Sequence, residues 1–258
     1  MTERPLTVLV AGGSAPSGIA VARALAQAGV TVYTVGSDST RIAAAAEAAG
    51  SGVTPLTCDL ASLPAVRELH EELTRTAGRI DGVIHLVGGW RGARDITGQS
   101  DEDWDFLESS SVTTLRNITR VFYDDLVASE TGRFAMVSST FVTAPSAAAA
   151  SYAAVKAAAE AWTMAMAEGF RRDQLQGAKQ GQGEPELPGE PELQSEPELH
   201  SAAVVLVVKA LVDPGMRIRQ PERRFPGYTD VEDLAAAVVG LFAKPATELN
   251  GQRILLTR

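Results

Sequence analysis

Short, nearly continuous apolar runs alternate along the chain with segments whose apolar positions recur every three or four residues. The runs are "LTVLVAG", "VTVYTVG", "VTPLTCDL", "GVIHLVGG", "GRFAMVSS" and "AAVVLVVKALV", and "GQRILLTR" closes the chain. They are β-branched and do not alternate with polar residues, the pattern of strands covered on both faces. Between them stand "SGIAVARALAQAG", "TRIAAAAEAAG", "SLPAVRELHEELTRTAG" and, late in the chain, "TDVEDLAAAVVGLFAK", all with helical spacing. Asp101 to Leu126 reads as one long helix, opened by Ser100 with Asp103 three residues on as a capping pair. "SYAAVKAAAEAW", Ser151–Trp162, is an alanine-rich helix former. Strand-helix alternation of this kind predicts an α/β fold, a doubly wound parallel sheet of seven strands, in a single domain spanning residues 1–258.

One segment departs from the alternation. "GEPELPGEPELQSEPELH", residues 183–200, repeats a Glu-Pro-Glu-Leu unit three times at a six-residue period. Proline at that frequency forbids helix and sheet, and too little apolar surface is present to offset the entropy of ordering. Residues 174–200 are therefore expected to form a disordered acidic insertion that leaves the domain opposite its ligand-binding edge. This segment holds six Glu and one Lys, −5 of the chain's formal −9, so the remainder is only mildly acidic. Neither part has the clustered Lys and Arg of a nucleic-acid footprint. The longest apolar run, Ala202–Val208, is too short for a bilayer, and "MTERPLTVLV" passes straight into a strand, so a cytoplasmic location is expected. Cys58 is the single cysteine, and His70, His85 and His200 lack ligand-like spacing, so neither an intrachain disulfide nor a metal site is expected.

"VLVAGGSAPSGIA" runs from the first strand through Gly12, Gly13 and Gly18 into the first helix. Glycines let the backbone turn tightly and approach a pyrophosphate, while the helix N-terminus offers N–H donors and a positive dipole end. Its place in the βαβ pattern points to a dinucleotide, with an ordinary glycine-rich turn as the alternative. An acidic residue at the end of the second strand would bond the adenosine ribose of NAD; Gly36 and Ser37 stand there, with Asp38 beyond and Arg41 one turn later. That arrangement does not repel a 2′-phosphate, so NADP(H) is favoured over NAD(H). Asp59 and Leu60 end the third strand and are placed to flank the adenine, although Asp59 equally suits a helix N-cap.

Tyr152 and Lys156 are four residues apart and share one helix face. A free phenol, with a pKa of about 10, is a weak base at neutral pH, and a nearby ammonium lowers that value by stabilising the phenolate. Ser139, the second serine of "VSST", lies thirteen residues before Tyr152. Together with the glycine turn, this set resembles the short-chain dehydrogenase/reductase family, in which a Tyr-x-x-x-Lys helix follows a strand ending in serine. The resemblance covers nearly the whole chain outside the insertion. It implies a Rossmann-like fold and NAD(P)(H)-dependent hydride transfer between a carbonyl and an alcohol. In that scheme Tyr152 moves the proton, Ser139 bonds the substrate oxygen, and Lys156 also holds the nicotinamide ribose. It further implies cofactor contacts from Ser14, Ser17 and Ile19 in the turn, Val87 and Gly88 after the fourth strand, and Val208 and Leu211 near the sixth.

Four positions depart from the family's pattern. "HLVG", His85–Gly88, replaces Asn-Asn-Ala-Gly, and His85 reads as a structural strand-end residue because the Tyr-Lys pair already carries the proton. Ser111 stands where the family has an asparagine that organises a relay water; it is shorter, and remains a catalytic candidate. "VKALVD", Val208–Asp213, replaces Pro-Gly-x-Val-x-Thr. Gly12–Gly18 is longer than the commonest spacing and Ala20 replaces the third glycine, as in the enoyl-reductase branch, although that branch separates Tyr and Lys by seven positions. Two alternatives to carbonyl reduction follow: a nucleotide-binding sensor or scaffold without turnover, and enoyl reduction. Trp90, Arg91, Arg94, Met216, Arg217 and Arg219 suit either a pocket for an anionic or aromatic carbonyl compound or a solvated loop. The alanines at 147–150, 153, 154, 157–159 and 161 leave several faces of the Tyr-Lys helix small and apolar. The resemblance implies a homotetramer, or second a homodimer, through this helix and the one before it.

Overall fold

The computed structural model describes residues 4–181 and 199–256. Its strands are β1 (Thr7–Ala11), β2 (Thr31–Gly36), β3 (Val53–Thr57), β4 (Gly82–His85), β5 (Arg133–Ser139), β6 (Ala202–Val208), β7 (Leu211–Val212), β8 (Thr229–Asp230) and β9 (Arg253–Leu255). Seven of them form one sheet in the order β3-β2-β1-β4-β5-β6-β9, with every neighbouring pair parallel. The expected doubly wound, Rossmann-like architecture is the one observed. β1, β4 and β6 are buried along their whole length, which is why their apolar runs are unbroken. Edge strand β3 is largely exposed and carries Pro55, whose missing N–H costs least at an edge.

The helices are α1 (Pro16–Gln27), α2 (Ser39–Ala49), α3 (Leu63–Ala77), α4 (Asp101–Glu108), α5 (Thr114–Ala128), α6 (Ala150–Gly181), α7 (Pro214–Arg219), α8 (Val231–Leu241) and α9 (Ala246–Leu249). One face of the sheet packs Val10 and Leu206 against Leu25 of α1 and Leu234 of α8. The other packs Phe134 and Val205 against Leu73 of α3, Phe122 of α5 and Phe170 of α6. Strand order reverses between β1 and β4, where Leu86 N donates to Ala11 O (2.8 Å) and the chain leaves both strands side by side.

Three expectations need correction. The helix read as continuous from Asp101 to Leu126 is broken by a π-helical turn, Ser109–Thr113, between α4 and α5. Its bonding is irregular for a local reason: Thr114 Oγ1 donates to Ser110 O (2.7 Å) and lies 3.0 Å from His85 Nε2, so side chains compete with the helical ladder. The sixth apolar run is not one strand either. It ends at Val208, and Leu211–Val212 pairs instead with Thr229–Asp230 in a small ribbon, after which Asp213 caps α7 by accepting from Met216 N (2.9 Å).

The third correction concerns the expected insertion, residues 174–200. Its first part is helical, since α6 continues through Gly181. Gln174 explains why: Nε2 donates to Val127 O (3.0 Å) and Ser201 Oγ (2.8 Å), while Oε1 accepts from His200 N (3.0 Å) and Ser201 N (3.2 Å). The outgoing helix and the returning chain are thereby joined beside β5, where Arg133 also donates to His200 O (2.8 Å). Arg133 and Ala202 begin β5 and β6, so this junction lies at the sheet edge opposite the β1–β4 crevice, as expected. The Glu-Pro-Glu-Leu repeats themselves lie outside the described residues. No helix among the described residues is long and apolar enough to cross a membrane, and no described cluster of His, Cys, Asp and Glu is placed to hold a metal ion.

Candidate active site

A cleft of ≈ 550 Å³ opens at the strand-order reversal, the place where ligands enter such sheets. Gly12, Ser14, Gly36, Ser37 and Arg41 line one side, and Asp59, Leu60, Val87 and Gly88 the other. Gly13 and Gly18 lie beneath them. Gly12 has φ +85°, and a Cβ there would stand 2.9 Å from the Leu86 carbonyl carbon; a Cβ on Gly18 would overlap Gly12 O. Tight packing of the turn brings the N-terminus of α1 to the cleft floor. Ala15, its N-cap, supplies no side-chain hydrogen bond, so the first-turn amides of Ser17 and Gly18 remain for an anion. Ile19 differs from them: its N–H is spent on Ala15 O (3.0 Å) and its side chain packs with the core.

The walls bear on nucleotide choice. Asp38 directs its carboxylate into the N-terminus of α2, accepting from Arg41 N (2.8 Å), and pairs with Arg41 Nε (3.5 Å). Gly36 has a packing reason to be glycine, because a Cβ would lie 2.6 Å from Ser14 Oγ. Asp59 does not cap α3; Ser62 does, accepting from Ala65 N (3.4 Å), while Asp59 accepts from Ala61 N (3.0 Å). Asn117 Nδ2 holds the Leu60 and Ala61 carbonyls (3.0 and 2.9 Å), fixing this rim. Cys58 is buried behind it, and burial pushes its thiol up to about 11, so it stays protonated. Phe106 of α4, Ser109 and Ser110 of the π turn and Thr114 of α5 also line the cleft, and no local pattern announced them because the π turn between the helices is not periodic.

Lys156 and Ser111 gather at Gly88, a residue of the cleft lining, and Tyr152 and Ser139 adjoin Lys156, although none of the four itself lines the cleft. A Cβ on Gly88 would stand 3.3 Å from Lys156 Nζ and 3.5 Å from Ser111 Oγ, so the cofactor and catalytic candidates meet there. Ser111 is buried in the π turn, and its hydroxyl has no partner within the protein. Ser139 ends β5, accepts from Phe141 N (3.2 Å), and its hydroxyl favours the ionised form of the nearby Tyr152 phenol. Val208 stands beside Ser139 in register, while Leu211 belongs to the ribbon; neither lines the cleft. His85 is buried in β4. Thr114 spends its proton on Ser110 O, so His85 Nε2 must donate to Thr114, and burial together with the Lys156 charge lowers the imidazole to about 3. It is a neutral post for the π turn.

The charge pattern differs from expectation at Tyr152. Its phenol is raised above the ordinary value by burial, with the Ser139 hydrogen bond opposing, whereas proximity to Lys156 had been expected to lower it. Two aromatic neighbours, Trp90 and Phe141, desolvate the ring, and the ammonium is directed elsewhere: Lys156 Nζ donates to Val137 O (3.0 Å). Burial lowers Lys156 to about 8, and the Glu160 carboxylate one turn on opposes that shift. Glu160 is itself held on both oxygens, accepting from Ser138 Oγ (2.5 Å) and pairing with Arg253 Nε (2.9 Å). Arg253 Nη2 also reaches Ser139 O (3.5 Å), so the closing strand β9 braces the reactive corner. The four-residue spacing of Lys156 and Glu160 could have revealed that pair; nothing near Arg253 indicates its partner.

A family model described as short chain dehydrogenase matches residues 6–176. The chain belongs to the short-chain dehydrogenase family. Among curated members it is 30% identical over 141 residues to a tropinone reductase homolog of Arabidopsis thaliana, covering 52% of this chain and 51% of that protein. It is 31% identical over 100 residues to a 3beta-hydroxysteroid dehydrogenase of Mediterraneibacter gnavus, covering 38% and 36%. The chain thus spans about half or less of the length of these relatives. In fold it is similar to an NADPH-bound short chain oxidoreductase from Pseudomonas aeruginosa PAO1 that contains an atypical catalytic center. That likeness has a TM-score of 0.78 at 18% identity and covers 98% of this chain and 97% of the other. Short-chain dehydrogenases bind nicotinamide dinucleotides, and this cleft fits one: it has open amides at α1, a glycine turn without side chains, and an unpartnered Ser111 hydroxyl beside Gly88.

The Lys156 shift sets a titration test. The folded protein binds fewer protons than the unfolded chain between about 8 and the ordinary 10.5, so stability contributed here rises with pH across that window. The ¹³Cε resonance of Lys156 should titrate with a midpoint near 8. In Glu160→Gln the midpoint should fall, because the group opposing desolvation is gone; an unchanged midpoint would show that Glu160 does not tune the ammonium.

Proposed function

We propose that this chain is an NADP(H)-dependent oxidoreductase that interconverts a carbonyl and an alcohol. The observation that carries the reading is the Tyr152 phenol, beside Ser139 and one helical turn from the buried Lys156, whose ammonium stands at Gly88 of the cleft lining. The bound dinucleotide supplies the hydride. Tyr152 is protonated at neutral pH, so in the reducing direction it donates its proton to the substrate oxygen. Ser139 Oγ accepts from Phe141 N, and its own proton, which favours the Tyr152 oxygen, can turn to the substrate oxygen instead. Lys156 stays charged below about 8 and offsets the phenolate that proton donation leaves. Gly12, Ser14, Ser37, Asp59, Leu60, Val87 and Gly88 hold the dinucleotide, and Arg41, which lines the cleft, takes the 2′-phosphate at the small cost of its exposed pair with Asp38.

We also propose a homo-oligomer, tetramer before dimer, through α5 and α6. Ala154, Ala157, Ala158, Ala161 and Ala165 are exposed along one stripe of α6, beside a groove of ≈ 440 Å³ lined by Thr119, Tyr123, Trp162 and Met166. A second helix pair can approach closely on such a surface.

Tyr152→Phe should lose turnover of carbonyl compounds by a factor of about 100 or more while NADPH affinity stays within a few-fold. Wild-type-like turnover in that variant would remove Tyr152 from the chemistry, and NADPH binding without consumption by any carbonyl compound in the wild type would favour the sensor reading. Arg41→Ala should weaken NADPH by roughly tenfold and NADH much less, because it removes one charge-assisted contact. Equal losses for both nucleotides would refute the NADP preference. In sedimentation velocity at micromolar concentration the chain should run as a tetramer or dimer; a monomer would overturn the α5–α6 interface.

A further inference from the structure

Resting on the carbonyl-reductase reading, the geometry points to a substrate class: an uncharged, flat carbonyl compound that lies against Trp90. Trp90 is 52% exposed, yet it is not a loose surface side chain. Its ring meets Tyr152 edge-on with centroids 4.8 Å apart and stacks on Phe141 at 5.6 Å with 25° between planes. Phe141 in turn meets Tyr152 edge-on at 6.3 Å. The proton donor is therefore walled by two aromatic rings, one of which leaves half its surface open. Folding alone gives no reason to hold an open indole beside a reacting phenol, whereas a planar substrate would cover it at little entropic cost because the ring is already fixed.

The loop that carries Trp90 is built to hold it. A Cβ on Gly92 would stand 2.8 Å from the Trp90 ring, so only glycine lets the chain pass beneath. Ala93 N donates to Ala148 O (2.9 Å), and Gln99 Nε2 donates to Ala147 O (3.0 Å) while its Oε1 accepts from Ser151 Oγ (2.7 Å). These bonds tie the loop to the start of α6, next to Tyr152 in sequence. The relative position of indole and phenol is thus set by the backbone at both ends.

Of the four arginines that the sequence offered to an anionic compound, three stand beside carboxylates. Arg91 pairs with Asp103 (3.4 Å) and lies over the Phe106 ring at 4.1 Å. Arg94 pairs with Asp95 (3.8 Å), and Arg217 with Asp230 (3.1 Å). A substrate anion approaching any of these three would also meet the opposing charge of its carboxylate. The aromatic surface keeps no such competing partner.

The test compares indanone, a flat neutral ketone, with butanone and with benzoylformate, which has an aryl ring and a carboxylate. In wild type, kcat/KM should favour indanone over both. In Trp90→Leu the indanone-to-butanone ratio should fall about tenfold, and Trp90→Phe should restore most of it, as expected for an aromatic contact rather than mere bulk. A ratio unchanged in Trp90→Leu, or benzoylformate preferred by the wild type, would overturn the proposal. Saturation-transfer NMR of indanone on the full chain with NADP⁺ separates this inference from the reading beneath it. Tyr152→Phe should keep the transfer while losing turnover, and Trp90→Leu should lose the transfer. Transfer that survives equally in Trp90→Leu, or is missing in wild type, sinks the Trp90 platform whether or not Tyr152 proves to be the proton donor.

Discussion

A parallel sheet covered by helices on both faces has no strand surface left for solvent, so polar chemistry can gather only where strands end. In this chain that constraint arranges everything else. β1, β4 and β6 are buried along their length, and their C-terminal ends deliver the glycine turn, Gly88 and the neighbourhood of Ser139 to one crevice. The helices that cover the faces begin at the same edge, which puts the open amides of α1 and the first turn of α6, with Tyr152, beside one another. The end of the chain's return after α6, at His200 and Ser201, lies at the other edge.

Gathering polar groups at a buried edge has an energetic cost, and the structure shows where it is offset. The Lys156 ammonium loses water and gains the Val137 carbonyl and the field of Glu160. Glu160 would itself be a stranded anion without Ser138 and Arg253, and Arg253 comes from β9, a strand of three residues at the sheet's edge. Tyr152 shows the opposite balance. Trp90 and Phe141 exclude water from its ring, and the phenol is held in its neutral form as an acid.

Most of the fold was legible along the chain because strand burial and helix periodicity are local signals. The seven sheet strands, their parallel winding, the glycine turn and the Ser139, Tyr152 and Lys156 spacing all rest on regular geometry: a two-residue or 3.6-residue repeat, or a fixed offset between strand end and helix. The misreadings fall where side chains override that geometry. Thr114 and His85 convert a straight helix into one with a π turn, and Gln174 carries α6 further than its composition suggests.

The sequence by itself determined the order of elements, the family pattern and which residues carry reactive groups. Only the tertiary structure decided how those groups are charged and what surrounds them. Tyr152 was expected to be lowered by Lys156, four residues away, and is instead raised by the burial that Trp90 and Phe141 help to impose from other loops. Spacing along a helix is set by bonds within it, whereas desolvation is set by whatever packs against a group, and in a doubly wound sheet those neighbours come from distant parts of the chain.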